Sequence, residues 1–233
     1  MTYDFDTPVD RSGTYSLKWE EAGDALPMWV ADMEFQTAPQ IRAALQQRLD
    51  HGIFGYSIVP PAWNQAYVDW WHRRHNLDID PESLVFSTGV VPAISSMVRK
   101  LTTANENVLI QTPVYNIFFN SIINNGCRVL ESPLEYDGSG HYSINWADLE
   151  SKLADPQTTL MILCNPHNPV GRIWDRDTLA RIGELCWNHH VTVISDEIHC
   201  DLTDPGYDYV PFASVNEQCA MNSVTCICLL YTS

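Results

Sequence analysis

The chain has 233 residues, 45% of them hydrophobic and 18% charged, with 11 glycines and 14 prolines. This is globular composition, enough for one α/β domain or two small ones and neither disordered nor fibrous. The 29 acidic and 13 basic side chains give a formal charge of −16, which repels a phosphate backbone and argues against nucleic-acid binding through a basic face.

The N-terminal MTYDFDTPVD carries acids where a secretory signal needs a basic and then an apolar stretch, and the uncharged runs are broken by polar residues. Neither export nor a membrane span is expected. Seven cysteines, with no CxxC pair, signal neither a disulfide framework nor a zinc ribbon and point to a reducing cytoplasm. In contexts such as LMILCNP and ELCW they read as small buried hydrophobes.

Residues 1–36, punctuated by Pro8, Gly13, Gly23 and Pro27, show no sustained periodicity and read as an irregular arm. A helix is signalled from Thr37, with Thr37 as cap, Pro39 in the first turn, and Ile41, Ala44, Leu45 and Leu49 at helical spacing before Gly52. A second helix, Ala62 to His75, carries Trp63, Tyr67, Trp70 and Trp71, which read as core or subunit contact.

From Ser83 onward six short apolar runs follow: LVFST, NVLIQT, CRVLES, TTLMILCN, VTVISD and SVTCIC. Helical segments such as Pro92 to Leu101 and Asp175 to His189 separate them. This alternation predicts βαβ crossovers and a largely parallel sheet covered on both faces, an α/β fold in three layers. Ligands in such folds gather beyond the carboxyl ends of the strands.

Those ends carry chemistry. Gly89-Val90-Val91 opens a helix whose free N–H groups suit an anion. Tyr115 follows the run NVLIQT, and a stiff Asn165-Pro166-His167-Asn168-Pro169 loop follows TTLMILC. Asp196-Glu197-Ile198-His199 ends VTVIS, and an acid at the end of an apolar strand demands a partner. No second ligand cluster supports a metal there. GxGxxG and GxxxxGK[ST] fingerprints are absent from the sequence.

An anion-binding turn, an aromatic ring, an amide and a carboxylate together suit a flat, phosphorylated heteroaromatic cofactor. The stretches PMWVADMEF, FGYS, STGVVPAI, TPVYNIFF, NPHNPVGR and SDEIHCDL resemble, in order, the fold-type I pyridoxal-phosphate enzymes. Within them the likeness is to the cystathionine β-lyase (C–S lyase) branch of the class I/II aminotransferases. The resemblance implies pyridoxal 5′-phosphate, with Asp196 on its ring nitrogen, Tyr115 on its face, Asn168 and His199 at its 3′-oxygen, and the Val90 and Val91 backbone at its phosphate.

It further implies Tyr56 reaching the neighbouring subunit of a homodimer, with Trp29, Ala31 and Asn168 lining the substrate. The implied reaction is β-elimination from a sulfur amino acid, giving thiol, pyruvate and ammonia. The family's cofactor-anchoring lysine is expected near Tyr231, yet the only lysines are Lys18, Lys100 and Lys152. The expectation is therefore a partial cofactor-binding large domain over residues 37–227, a non-native tail over 228–233, no small C-terminal domain, and an inactive fragment. Transamination shares the same early chemistry and stays open. So do a non-catalytic partner of transcription regulators and, more remotely, an unrelated nucleotide-binding domain.

Overall fold

The computed structural model describes residues 3–228, which form two compact units parted between Ile58 and Val59. The first unit is largely irregular, as its glycines and prolines predict, with a one-turn helix α1 (Leu17–Glu20) and a longer α2 (Pro39–His51). Charge contacts fasten the arm to the WVADMEF stretch. Arg11 meets Asp32 at 2.6 Å, Lys18 donates to Glu34 at 2.7 Å, and Trp19 Nε1 donates to the same carboxylate at 3.1 Å.

Helix α2 is the predicted one, but Thr37 does not cap it. Ala38 holds the N-cap position without a side-chain bond. Pro39 lacks an N–H, so the first turn already has one orphan donor fewer. The helix stops at Gly52, whose φ of 73° is the left-handed conformation that glycine adopts at no steric cost.

The second unit begins with α3 (Pro61–His75), which buries Tyr67 and Trp71 as its aromatic pattern predicts. Five of the six apolar runs then become strands of one sheet. In chain order the elements are α4 (Val90–Leu101), β1 (Asn107–Ile110), α5 (Ile117–Ile123) and β2 (Arg128–Glu131). A small antiparallel pair follows, β3 (Glu135–Tyr136) and β4 (Tyr142–Ser143), then α6 (Trp146–Leu153), β5 (Thr158–Cys164) and α7 (Arg176–Asn188). Last come β6 (Thr192–Asp196), α8 (Glu217–Met221) and β7 (Ser223–Cys226).

The sixth run, Leu84–Thr88, is not a strand. Its apolar composition matches the others, but a strand exists only through pairing, and this segment pairs with none of the described residues. Val85 and Phe86 are left exposed.

The sheet order is β2-β1-β5-β6-β7, every neighbouring pair parallel. Strand periodicity divides the core in two. Leu109, Met161, Leu163 and Val193 face the apolar sides of α6, α7 and α8, while Val108, Ile110, Leu160, Ile162 and Ile194 face α4 and α5. The result is three layers.

From β1 the chain moves outward to β2, returns past β1 to β5, and continues away through β6 and β7. The connections after β1 and β5 therefore diverge, making a topological switch point at the carboxyl ends of the strands, the place where ligands gather in sheets of this kind.

Helix α7 approaches α8 closely at Gly183, where a Cβ would collide with the Cys219 sulfur. Gly183→Ala is therefore expected to destabilise the second unit by about 1–3 kcal/mol through overpacking. Urea melts should show this loss, and adding Cys219→Ala should recover most of it.

Candidate active site

Strand β6 delivers Asp196 to the sheet's carboxyl edge on the face of Ile194, the face covered by α4 and α5. The register places Cys164 of β5 and Cys226 of β7 on either side of it. Asp196 is only 4% exposed. Its Oδ1 accepts one hydrogen bond, from the Ile198 N–H at 3.1 Å.

Burial, with a smaller push from the adjacent Glu197 charge, raises the Asp196 pKa to about 7 against that single backbone bond. Burial, together with the nearby acid, also drives the Cys164 thiol up and the Cys226 thiol up to about 12. The residues beside Asp196 on both strands are thus neutral, and among the described residues no ion pair is made with it.

Glu197, fully buried, is satisfied in another way. Its Oε1 accepts from Ser195 Oγ at 2.7 Å and from the Phe212 N–H at 2.9 Å, and its Oε2 accepts from the Tyr209 hydroxyl. Burial pushes its pKa up to about 7 in spite of these three donors. Glu197 ties the loop through Tyr209 and Phe212 to the sheet. Adjacent acids in one motif therefore differ: Glu197 accepts from three donors, Asp196 from one.

The predicted groups of the second unit lie in the segments that follow the neighbouring strands or open α4. Val90 starts the twelve-residue α4, and the first backbone N–H groups of a helix have no intrahelical acceptor. Tyr115, in the connection after β1, packs with Val90, Val114 and Cys164 in one apolar cluster, its ring set edge-on to Phe118 at 5.8 Å. His199 is half-buried in the turn after β6, and burial holds its pKa below the usual histidine value.

In the loop after β5 the two amides divide their roles. Asn165 is buried and structural, its Nδ2 donating to the Val210 carbonyl at 3.1 Å and its Oδ1 accepting from the Trp174 N–H at 3.2 Å. Asn168 is half-exposed, with its backbone N–H on Cys164 Sγ at 3.4 Å. Gly171 closes the loop at φ 67°, where its N–H donates to the His167 carbonyl at 2.9 Å.

Sequence reasoning had missed Glu197 as an anchor, although a second acid after an apolar run was the available signal. Trp29, Ala31 and Tyr56 lie in the first compact unit, where all three are exposed. Tyr231 lies outside the described residues.

The lysines are placed elsewhere. Lys18 is buried on Glu34 in the first unit, Lys152 pairs with Asp148 at 2.7 Å, and Lys100 is exposed in the last turn of α4. Among the described residues His75, Cys200 and Asp201 also bring donor atoms within 4.8 Å of one another. Asp201 is already occupied there, accepting from Trp70 Nε1 at 2.9 Å and pairing with His75 at 3.0 Å, so the group reads as the contact that docks α3.

A doubly wound α/β unit with polar and aromatic groups at its switch point is the class this geometry defines. The chain belongs to the aminotransferase class I and II family, whose sequence pattern matches residues 27–230. Cystathionine β-lyase PatB of Bacillus subtilis is 48% identical over 229 residues, which cover 95% of this chain and 59% of that protein. Protein MalY of Escherichia coli is 36% identical over 224 residues, 91% of this chain and 56% of that protein.

Among solved structures, cystalysin from Treponema denticola, which contains a pyridoxal 5′-phosphate cofactor, superposes with a TM-score of 0.90. It is 36% identical, over 97% of this chain and 59% of cystalysin. The chain thus spans a little under three-fifths of these relatives. Among the described residues no helix is long and apolar enough to cross a membrane.

The Asp196 environment sets a pH test. An acid whose folded pKa lies above its unfolded value keeps its proton longer in the folded state, so its contribution to stability is lost as pH rises from about 4 to about 7. Asp196→Asn is expected to stabilise the cofactor-free chain at pH 8, by on the order of 3 kcal/mol, and to change it little near pH 4. Thermal melts of both chains across that range check the sign.

Proposed function

We propose that this chain is the cofactor-binding part of a pyridoxal-phosphate-dependent carbon–sulfur β-lyase of the cystathionine β-lyase type, acting in the cytoplasm on a sulfur amino acid as a homodimer. The observation that carries the reading is Asp196, a buried acid at the end of a central strand with neutral thiols on both sides. Such a group fits a ligand that brings a protonated ring nitrogen. Likeness to PatB supports lyase chemistry over transamination, and seven unpaired cysteines suit a reducing compartment.

In this reading Asp196 would hold the proton on the ring nitrogen, since an ion pair favours the charged form of each partner. The Val90 and Val91 N–H groups would hold the phosphate, aided by the positive end of the α4 dipole. Asn168 would donate its amide to the ring oxygen, with His199 beside it, and the Tyr115 ring would keep water from one face of the cofactor. Bound pyridoxal phosphate supplies an electron sink for the pair left at Cα when a proton is removed and the Cβ–S bond breaks. Trp29 and Ala31 would line the substrate side, and Tyr56 would serve the site of the partner subunit.

Two measurements test this. Equilibrium dialysis should show that the chain binds pyridoxal phosphate reversibly, with no borohydride-fixed adduct on Lys18, Lys100 or Lys152. Asp196→Asn should weaken that binding roughly tenfold to a hundredfold, the usual effect of losing a hydrogen bond to a charged group. A chain extended to the length of its relatives and carrying the anchoring lysine should release pyruvate from L-cystathionine. Amino transfer to a keto acid without pyruvate release would overturn the lyase assignment.

A further inference from the structure

Four of the buried side-chain atoms that lack a hydrogen-bond partner belong to three residues around the switch point: Gln111 Nε2 and Oε1, His167 Nδ1, and Trp174 Nε1. Gln111 directly follows β1. The alternation that pairs Leu109 with Met161 puts its side chain on the face of Leu109 and Leu163, where Trp174 packs in the same cluster. The His167 ring stands edge-on to Trp174 at 5.8 Å and lies beside the carbonyls of Pro113 and Gln111. All three side chains are no more than 2% exposed.

The hydrogen-bonding roles are fixed by chemistry. His167 Nε2 sits 3.0 Å from the Pro113 carbonyl, so this nitrogen carries the proton and donates. A neutral ring then has only a lone pair at Nδ1, and burial favours the neutral form. Trp174 Nε1 can only donate, while the Gln111 amide offers N–H donors and one acceptor oxygen. The unmet set is two donor groups and two acceptors. One water molecule matches it, accepting from Trp174 and Gln111 and donating to His167 and Gln111.

We propose that Gln111, His167 and Trp174 enclose a buried water, and that through it His167 acts as a positioning residue. It would hold the β1 connection bearing Tyr115 in fixed relation to the β5 loop bearing Asn168. The hydration site stands on the polar atoms alone; the positioning role rests on the cofactor reading above. Direct pairing ties His167 to the backbone carbonyls of the β1 connection, Pro113 at 3.0 Å and Gln111 beside it, and the water adds the Gln111 and Trp174 side chains to that tie. Water-bridged contacts of this kind hold nearly as well as direct ones.

Diffraction at a resolution that shows ordered solvent should reveal one water within hydrogen-bond distance of all four atoms. Histidine ¹⁵N spectra of the same chain at pH 6 should show His167 protonated at Nε2, with Nδ1 accepting a hydrogen bond. Gln111→Leu and Trp174→Phe should each shift the Nδ1 resonance and weaken pyridoxal phosphate binding roughly three- to tenfold, with a melting temperature close to that of the parent. An empty cavity, a direct Gln111–His167 bond, or a His167 protonated at Nδ1 would overturn the hydration site. A lowered melting temperature with unchanged cofactor affinity would overturn the positioning role. Failure of the parent chain to bind pyridoxal phosphate would count against the cofactor reading and the positioning role, while diffraction and the ¹⁵N spectra would still decide the water.

Discussion

A carboxylate buried at the end of a central strand must find compensation, because an isolated charge cannot be taken out of water without either a partner or a proton. At Asp196 no charged partner is found among the described residues. Parallel strands on both sides close off solvent, their facing residues Cys164 and Cys226 stay neutral, and one backbone N–H is the hydrogen bond supplied. Glu197, one residue on and equally buried, receives three donors. Both acids feel the same loss of water, so the contrast lies in the hydrogen bonds. That difference separates a structurally anchored acid from one with a single donor within one tetrapeptide.

The sheet topology determines what else can reach Asp196. Since the connections after β1 and β5 leave in opposite directions, the loops that begin them lie side by side at the carboxyl edge of the sheet. Tyr115 and Asn168 come from those two loops. Each is braced by groups that never meet solvent: Phe118 under Tyr115, and Asn165 with His167 behind Asn168. A loop carrying a ligand group is useful only if its own backbone polar groups are already satisfied. The buried Asn165, which looks in sequence like a twin of Asn168, does that work by joining the Val210 and Trp174 backbones.

What could be read from the sequence follows the same division between local and non-local causes. Strands β5 and β6 are nearly continuous apolar runs because both sheet faces are covered, and an acid ending such a run is visible in one dimension, so Asp196 stood out. Leu84–Thr88 has the same composition but no partner, and pairing is not written in composition. Thr37 does not cap because the helix begins at Pro39, which makes Ala38 the N-cap residue and leaves Thr37 one position outside it. Gln111, His167 and Trp174 could not be linked beforehand, because only sheet register and the fold of the Asn165–Gly171 loop bring them to one face. Trp29, Ala31 and Tyr56 carry no chemistry that distinguishes them from other exposed residues, and only family resemblance singles them out.

The identity of the residues flanking Asp196 has an energetic consequence. A lysine or arginine at position 164 or 226 would form the buried ion pair within the chain, hold the acid ionised, and leave it nothing to offer a ligand. Cysteine fills the same space, stays uncharged under burial, and leaves Asp196 with a pKa of about 7. The cofactor-free chain is consequently less stable at neutral pH than it would be with a neutral group at this position. A ligand bringing a ring cation removes that deficit when it binds. The free energy recovered appears as affinity and as ligand-dependent stability, because binding to the folded state alone shifts folding in the same direction. Burial without a partner is thus a weakness of the empty fold, and under the proposed reading it would favour a ring cation over a neutral ring of the same shape.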